Sequence, residues 1–322
     1  MTYDSFTPKT ATTGGNSLPF VSVVVPVCND ERYVEPCLAA LLSQTYPHER
    51  FEILVVDNRS HDGSAARIRV HAVRYLQENG IQSAYAARNR GIGVSRGDIL
   101  AFTDVDCVAG PDWLSLGVGP FADATVGSVG GAIGSAAPHT WVQRHLARQH
   151  FLSQHATFTR YILPYAQTAN VFYRRAVFEE VGCFEPRWKS GADADLAWRM
   201  QLLTSFKLVR SPAIVFHRHR STLWSMLRQR FHHGMGSAAL QAKYGEQATY
   251  RRGELVGSHT ATPVKSIDTF LRLLARTAYQ CGCVLGSSPI GLGRAGQDEY
   301  PCPPASPPSS ARSTAPSPCG ER

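Results

Sequence analysis

Two aspartates separated by one residue follow a short apolar run in the segment DILAFTDVDC, at 98–107. The run ILAF is typical of a buried β-strand. Side chains alternate along a strand with a period of two, so Asp104 and Asp106 would lie on the same side of it. Two carboxylates this close repel each other and perturb each other's pKa unless something screens them. The spacing therefore indicates a divalent metal ion, a cluster of Arg or Lys, or bulk water between them.

Further polar residues follow two other predicted strands. VSVVVPV (21–27) and FEILVVD (51–57) are continuous apolar runs rich in β-branched residues, which is typical of strands buried on both faces. Asn29 and Glu31 follow the first run, and Asp57 ends the second. Ligands of open parallel sheets bind beyond the carboxyl ends of the strands. We therefore expect these residues to lie near the aspartate pair, although simple turn chemistry remains an alternative for Asp57.

The segments between these strands carry helical patterns. The helix after the second strand is predicted to continue to about Leu76, and another is predicted from Tyr85 to Ser95, before the DILAFTD strand. Strands that alternate with helices predict an α/β fold whose sheet is mainly parallel.

Composition restricts the class of protein. The chain has 322 residues, of which 43% are hydrophobic, enough for one large α/β domain or two ordinary ones. Its 33 Lys and Arg against 25 Asp and Glu give a net charge of +8, which suits an anionic partner or only a solvated basic surface. Nucleic acid is disfavoured because the strand-end carboxylates would repel its phosphates. Neither a secretory signal nor a membrane-spanning run is evident, so a cytoplasmic protein is expected.

Four segments, taken in order, resemble the family 2 glycosyltransferases of the GT-A fold over roughly residues 20–235. They are VSVVVPVCND, ILVVDNRSHDGS, AARNRGIGVSRGDILAFTDVDC and GADADLAWR. The resemblance implies a Rossmann-like, mainly parallel sheet flanked by helices, with a C-terminal acceptor subregion. It also implies an inverting transfer of a sugar from a UDP or GDP donor, with Mn²⁺ or Mg²⁺, to a hydroxyl of a glycan or lipid-linked acceptor. LRQRFHHG (227–234) lacks the Gln-x-x-Arg-Trp of processive members, so a single addition is expected.

The segment Thr103–Asp106 is similar to the family's DxD element. By this resemblance Asp106 holds the metal ion that bridges both phosphates, and Asp104 contacts the ribose or a metal-bound water. A hard, oxygen-ligated cation would also neutralise the carboxylate pair. His217 ends the apolar run AIVFH and is a further candidate ligand of the metal, with a purely structural histidine as the alternative.

The resemblance also implies a set of donor-binding residues from the strand ends and from the AARNRG helix. Arg88, the first arginine of that helix, is expected near the nucleotide; a structural ion pair with Asp57 or Asp104 is its alternative. The full predicted set is Pro26, Val27, Asn29, Glu31, Asp57, Arg88 and Asp104.

The catalytic base is expected in the segment GADADL. By position Asp193 would take the proton of the acceptor hydroxyl, and Asp195 would cap the helix that follows. Ala192 stands where the family commonly has Glu, which leaves a degenerate binding or scaffold protein as an alternative function. A nucleotidyltransferase is disfavoured because PVCNDERYV lacks a glycine- and lysine-rich phosphate loop.

The chain divides into five predicted regions. A role in cell-envelope polysaccharide synthesis is expected, and peripheral contact with the inner face of a membrane through 141–160 or 266–286 is left open; the oligomeric state is not predicted. The regions are a polar leader (1–17), a nucleotide-sugar-binding half (18–110), an acceptor-binding and catalytic half (111–250), a basic amphipathic segment (251–285) and a Pro/Ser-rich disordered tail (286–322).

Overall fold

The computed structural model describes residues 18–149, 151–248 and 266–287, which are built around one sheet of eight strands. The strands lie in the order β3-β2-β1-β4-β7-β6-β8-β5. Their bounds are β1 (Val21–Val27), β2 (Phe51–Asp57), β3 (Arg74–Gln77), β4 (Ile99–Thr103), β5 (Cys107–Ala109), β6 (Val126–Ser135), β7 (Asn170–Arg174) and β8 (Lys207–His217).

The sheet has a parallel half and a mixed half. Strands β2, β1 and β4 are parallel, as the strand-helix alternation predicts, and β3, which was not predicted, is parallel to β2. Beyond β4 the directions are mixed: β7 is antiparallel to β4 and β6, β8 is parallel to β6, and β5 is antiparallel to β8. The β5–β8 pairing places Cys107 opposite His217. It thereby brings the end of β8 beside the aspartate pair.

Helices cover both faces of the sheet. They are α1 (Glu31–Leu42), α2 (Ser64–Arg69), α3 (Ala84–Val94), α4 (Trp113–Val118), α5 (Trp141–Arg148), α6 (Gln154–Thr159), α7 (Arg175–Val181), α8 (Ala192–Leu203), α9 (Leu223–Tyr244) and α10 (Ser266–Gly286). Short 3-10 helices lie at His48–Arg50, Gly119–Ala122 and Gly245–Ala248. None of the helices in the described ranges combines the length and the hydrophobicity needed to cross a bilayer.

Strand β1 explains the two-layered core. Every one of its residues is buried. Val23 and Val25 pack in the cluster that includes Leu38 of α1, whereas Val24 packs on the other face with Ile92 of α3. The continuous apolar run therefore has the two-sided burial that its composition predicts.

The prediction of a helix up to Leu76 is wrong. Helix α2 ends at Arg69, and residues 74–77 form β3, parallel to β2 with Arg74 opposite Leu54. Leu76 packs against the core on the α3 face of the sheet. Backbone pairing with β2 and this tertiary contact outweigh the local helical pattern, a common outcome for short segments.

Helices α9 and α10 run in the same direction in close contact. A Cβ atom added at Gly234 would lie 2.0 Å from the carbonyl oxygen of Tyr279, and one added at Gly282 would lie 2.0 Å from that of Phe231. Leu271 and Ala275 of α10 are buried in a separate cluster formed with α5 and α9. Of the predicted amphipathic segment, 266–285 thus belongs to α10; 251–265, the leader 1–17 and the tail beyond 287 lie outside the described residues.

The position of Asp195 in the sequence predicts a cap of α8, but this prediction is wrong: Asp195 instead joins α8 to the end of α9. Its side chain is 1% exposed. Its carboxylate accepts hydrogen bonds from Nε of Arg199 at 2.9 Å, from Nζ of Lys243 at 2.6 Å and from the hydroxyl of Tyr244 at 2.7 Å. Burial would raise the pKa of Asp195, but the charges of Arg199 and Lys243 hold it below its ordinary value. The end of α9 is thereby fixed to the helix that carries Asp193.

We expect Asp195→Ala to lower the free energy of unfolding by about 3–5 kcal/mol, because it leaves the largely buried guanidinium of Arg199 without its counter-ion. Tyr244→Phe, which removes one hydrogen bond, should cost about 1 kcal/mol. Urea unfolding at pH 7 measures both, with exposed Glu180→Ala as the matched control. The lowered pKa means that this stabilisation is complete above the unfolded-state pKa and is lost as pH falls through the folded-state value. An Asp195→Ala protein as stable as the control would contradict the assignment.

Candidate active site

A cavity of about 1140 Å³ opens beyond the carboxyl ends of β1 and β4. Its walls come from these strand ends and from α3, α8, α9 and α10. Most of the residues predicted from the sequence meet in it: Pro26, Val27, Arg88, Asp104, Asp106, Asp193 and His217. Asn29, Glu31 and Asp57 are not part of its lining.

Asp106 faces two cationic side chains. Nε2 of His217 lies 3.5 Å from Oδ2 of Asp106, and Nη1 of Arg220 lies 3.9 Å from the same oxygen. Burial by itself would raise the pKa of Asp106, but His217 and Arg220 outweigh it and hold that pKa below its ordinary value. Burial would likewise lower the pKa of His217, yet Asp106 raises it. The site therefore keeps a nearly buried carboxylate ionised.

Asp104 is turned toward Arg88. Nη2 of Arg88 donates to Oδ1 of Asp104, so the ion pair left open as an alternative in the sequence is formed. Arg88 is 3% exposed, and its helix begins at Ser83, whose hydroxyl accepts hydrogen bonds from two backbone amides of the first turn. Because Arg88 also lines the cavity, the ion pair leaves it available to a ligand there.

Asp30 is a site residue that the sequence prediction missed. It lines the cavity between Asn29 and Glu31, the two residues that were predicted in its place. Burial, followed by the negative charge of Asp106, raises the pKa of Asp30 to about 6. The segment Cys28–Glu31 reads CNDE, so all three polar residues were visible, but the direction of each side chain depends on a turn in which Asn29 has φ of 55°.

Asn29, Glu31 and Asp57 contact the loop at 58–64 instead of the cavity. Oδ1 of Asn29 accepts from the amide of His61 at 2.7 Å, and Glu31 accepts from the amide of Gly63 at 3.1 Å and pairs with Arg67. Asp57 is 3% exposed, and its two oxygens accept from the amide of Ser60 and the hydroxyl of Tyr75. These three residues shape the loop beside the cavity, and their predicted donor contacts remain predictions.

Asp193 lies in the first turn of α8 and is partly exposed to the cavity. The helix begins after Gly191, whose φ of 91° is readily adopted only by glycine. Oδ1 of Asp193 accepts from the backbone amide of Ala194 at 3.0 Å and from the hydroxyl of Tyr85 at 3.4 Å. Burial raises the pKa of Asp193, although the Ala194 amide and the charge of Arg88 act in the opposite direction. A carboxylate of raised pKa is a stronger base.

Two neighbouring positions have packing roles. Ala192, which stands where the family commonly has Glu, is fully buried in the core with Leu196. Asn170 is also fully buried: Oδ1 accepts from the indole of Trp113 at 2.8 Å, and Nδ2 donates to the carbonyls of Ala132 and Ala213. Thr168 and Ala169, the two residues before Asn170, line the cavity, whereas Asn170 does not.

The oxygens of Asp106 suit a hard divalent cation whose remaining coordination positions are filled by a bound phosphate and water. Within the part of the chain that the structure describes, no three His, Cys, Asp or Glu side chains are grouped as a complete metal cage. The cations beside Asp106 lie farther away than the roughly 2.7–2.9 Å of a direct charge-assisted hydrogen bond, so its oxygens are accessible to a stronger partner. Mg²⁺ sites of this kind use one or two carboxylates and complete their coordination with phosphate oxygens and water.

Comparison with known proteins agrees with this geometry. The Glycosyl transferase family 2 model matches residues 22–182, half of the chain. Glycosyltransferase AglE of Haloferax volcanii is 39% identical over 185 residues, which are 55% of this chain and 60% of that protein. Pre-mycofactocin glycosyltransferase of Mycobacterium tuberculosis is 27% identical over 240 residues, 70% of this chain and 48% of that protein. The chain thus spans about half to three fifths of the length of these relatives.

Solved structures show the same fold. The mannosyltransferase PcManGT from Pyrobaculum calidifontis, in complex with GDP-Man and Mn²⁺, aligns with a TM-score of 0.54 at 21% identity, over 90% of this chain and 80% of that one. Glucosyl-3-phosphoglycerate synthase from Mycobacterium tuberculosis, in complex with Mn²⁺, UDP-glucose and glycerol 3-phosphate, aligns with a TM-score of 0.51 at 17% identity, over 73% and 86%. The family match, with which the sheet and its flanking helices agree, shows that this chain belongs to glycosyl transferase family 2.

Proposed function

We propose that the protein is a metal-dependent, inverting glycosyltransferase that moves one sugar from a UDP or GDP sugar to an acceptor hydroxyl. One observation carries this proposal: a metal-competent carboxylate and a carboxylate of raised pKa line the same cavity. Asp106 lies beside His217 and Arg220, whereas Asp193 lies at the start of α8. The arrangement supplies separate groups for the leaving diphosphate and for the acceptor.

Residues beyond the strand ends would bind the nucleotide-sugar donor. Asp106, with Asp104 and His217 beside it, would hold Mn²⁺ or Mg²⁺, which when bound neutralises the charge that develops on the leaving diphosphate. Arg88 and Arg220, which line the same region, would contact its oxygens. PcManGT is described with GDP-Man and Mn²⁺, and glucosyl-3-phosphoglycerate synthase with UDP-glucose and Mn²⁺, which supports a nucleotide-sugar donor. Pro26 and Val27 would line the nucleoside pocket.

Asp193 would act as the general base toward the acceptor hydroxyl. As the acceptor oxygen bonds to the anomeric carbon, its proton passes to Oδ of Asp193 and the bond from that carbon to the diphosphate oxygen breaks. Direct displacement of this kind inverts the anomeric centre. The hydroxyl of Tyr85, a residue of α3, donates a hydrogen bond to this carboxylate and orients it. Because Ala192 is buried in the core, the absence of Glu at this position leaves the base in place.

The acceptor that we propose is a glycan or a lipid-linked glycan of the cell envelope, with transfer on the cytoplasmic side. The alternative is a degenerate family member that binds nucleotide or glycan without catalysis. The next experiment distinguishes the two.

Asp193→Asn should lower the transfer rate by about 10²–10⁴, because the amide cannot accept the proton, while nucleotide binding stays within about twofold of wild type. Transfer is followed as nucleotide release with an acceptor mixture from the cell envelope, and binding by calorimetry. Asp123→Asn, an exposed carboxylate outside the cavity, is the control. Equal turnover in the Asp193→Asn and control proteins would refute the base assignment; wild-type protein that binds nucleotide without turnover would favour the degenerate alternative.

The raised pKa of Asp193 predicts where activity falls in acid. The base acts only when ionised, so the acid limb of kcat/KM should lie above the ordinary aspartate value of about 3.9. Tyr85→Phe removes a donor to the ionised carboxylate and should move this limb to still higher pH. Tyr46→Phe, which loses a hydroxyl bonded to the Pro19 carbonyl, is the control and should leave the limb unchanged. An unshifted limb in Tyr85→Phe would contradict the positioning role.

A further inference from the structure

One wall of the cavity is formed by α9 and α10 and carries three exposed arginines. Arg228 lies on α9, and Arg272 and Arg276 lie one turn apart on α10. Met226, Leu271 and Ala275 share one buried cluster, so the beginning of α9 lies against the second and third turns of α10. This packing brings the three guanidinium groups, here called the arginine wall, to the same side of the cavity.

The arginine wall has no carboxylate partner among the residues that the structure describes. Among the described residues, none of its three members forms an ion pair with a carboxylate, in contrast to Arg88, Arg199 and Arg220. Arg272 instead donates to Gln149, whose amide, in the orientation that satisfies both groups, accepts at 2.7 and 3.1 Å. Three neighbouring cations without a partner repel one another, so an anion bound among them would be stabilised by all three.

The surroundings of the wall are also cationic or neutral. Burial and the charges of Arg228 and Lys189 lower the pKa of His232. Burial, with Arg230 as the next cause, lowers the pKa of His233 to about 4, so this histidine is neutral near pH 7. Every charged group that acts on these two histidines is thus positive.

The wall is separate from the cations that serve the donor side. Arg88 pairs with Asp104, and Arg220 and His217 face Asp106. The wall and Asp193 line the same cavity, as does Lys189, which lies shortly before Asp193 in the chain and lowers the pKa of His232 together with Arg228. Helix α9 contacts the same segment directly, because a Cβ atom at Gly236 would lie 2.4 Å from the carbonyl oxygen of Ser190.

We propose that the arginine wall binds a phosphate or diphosphate group of the acceptor, so that the substrate glycosylated at Asp193 is anionic. This rests on the proposed function and specifies its acceptor class. The planar guanidinium fork binds phosphate oxygens in pairs, which favours this anion. The phosphate group belongs to a lipid carrier or to a free sugar phosphate. Exposed Trp224, Phe270 and Leu273 lie at the same ends of α9 and α10 and would suit the lipid source.

The test uses the full chain with the donor site first saturated by Mn²⁺ and the nucleotide it binds. Two probes are then titrated: glucose 6-phosphate, by calorimetry, and phosphatidylcholine vesicles with about 10 mol % phosphatidic acid, by flotation. The triple variant Arg228→Gln, Arg272→Gln, Arg276→Gln should lose roughly tenfold or more in affinity for each arginine removed. Its control is Arg50→Gln, Arg90→Gln, Lys207→Gln, which removes three cations outside the cavity lining. Arg→Lys replacements at the wall keep the charge but lose the paired contacts, so they should bind more weakly than wild type and more tightly than the Gln variant.

Loss of binding in the wall variant alone supports the proposal, and the probe that binds identifies a free or a lipid-borne phosphate. Wild-type protein that binds neither probe, or equal affinities in the two triple variants, overturns it. Nucleotide affinity, measured beforehand in every protein, separates the two claims. A wall variant that has normal nucleotide affinity but unchanged probe binding refutes only the anion site. Wild-type protein that binds phosphate through the wall but binds no nucleotide refutes only the proposed function.

Discussion

The structure of the site depends on the balance of charge among carboxylates that the fold brings together. Asp30, Asp104, Asp106 and Asp193 all line one cavity, and three of them come from the ends of adjacent parallel strands. Burial and mutual repulsion disfavour their ionised forms, as the pKa of about 6 for Asp30 shows. Fixed cations oppose this: Arg88 on α3 pairs with Asp104, while His217 and Arg220, at and just beyond the end of β8, face Asp106. His217 and Arg220 thus come from a part of the chain distant in sequence, whereas Arg88 comes from the helix just before β4.

This requirement explains why the sheet departs from a simple parallel arrangement. The antiparallel β5–β8 pair sets Cys107 opposite His217 and so delivers a histidine to Asp106. Helix α8 brings the fourth carboxylate, and Asp195 fixes that helix to the end of α9. Helices α9 and α10, in contact through Gly234 and Gly282, then close the cavity on the side of the base. Among the described residues, the cavity therefore has two sets of cations. Those beside Asp104 and Asp106 pair with carboxylates, and those of the arginine wall do not.

The sequence was sufficient for strands β1, β2 and β4 of the parallel half, because long apolar runs have local causes, and together with the family resemblance it was sufficient for seven residues of the cavity. The failures came from interactions that no local pattern contains. Leu76 joined an edge strand through pairing with β2, and Asp195 found partners almost fifty residues away on α9. Asp30 was missed, and Asn29 was predicted in its place, because a turn with positive φ decides which of two adjacent side chains faces the cavity. No local pattern marks Arg272 and Arg276, because only the packing of α10 against α9 brings them to the cavity with Arg228.

The central claim, a nucleotide site that depends on a divalent ion at Asp106, is tested most directly by calorimetric titration. Purified protein is titrated with UDP and with GDP, each in the presence and absence of Mn²⁺, and Asp106→Ala is titrated in parallel. The account predicts that one nucleotide binds tightly with Mn²⁺, and that binding weakens markedly without the ion and in Asp106→Ala. Equal affinity with and without Mn²⁺, or no binding of either nucleotide, would contradict it.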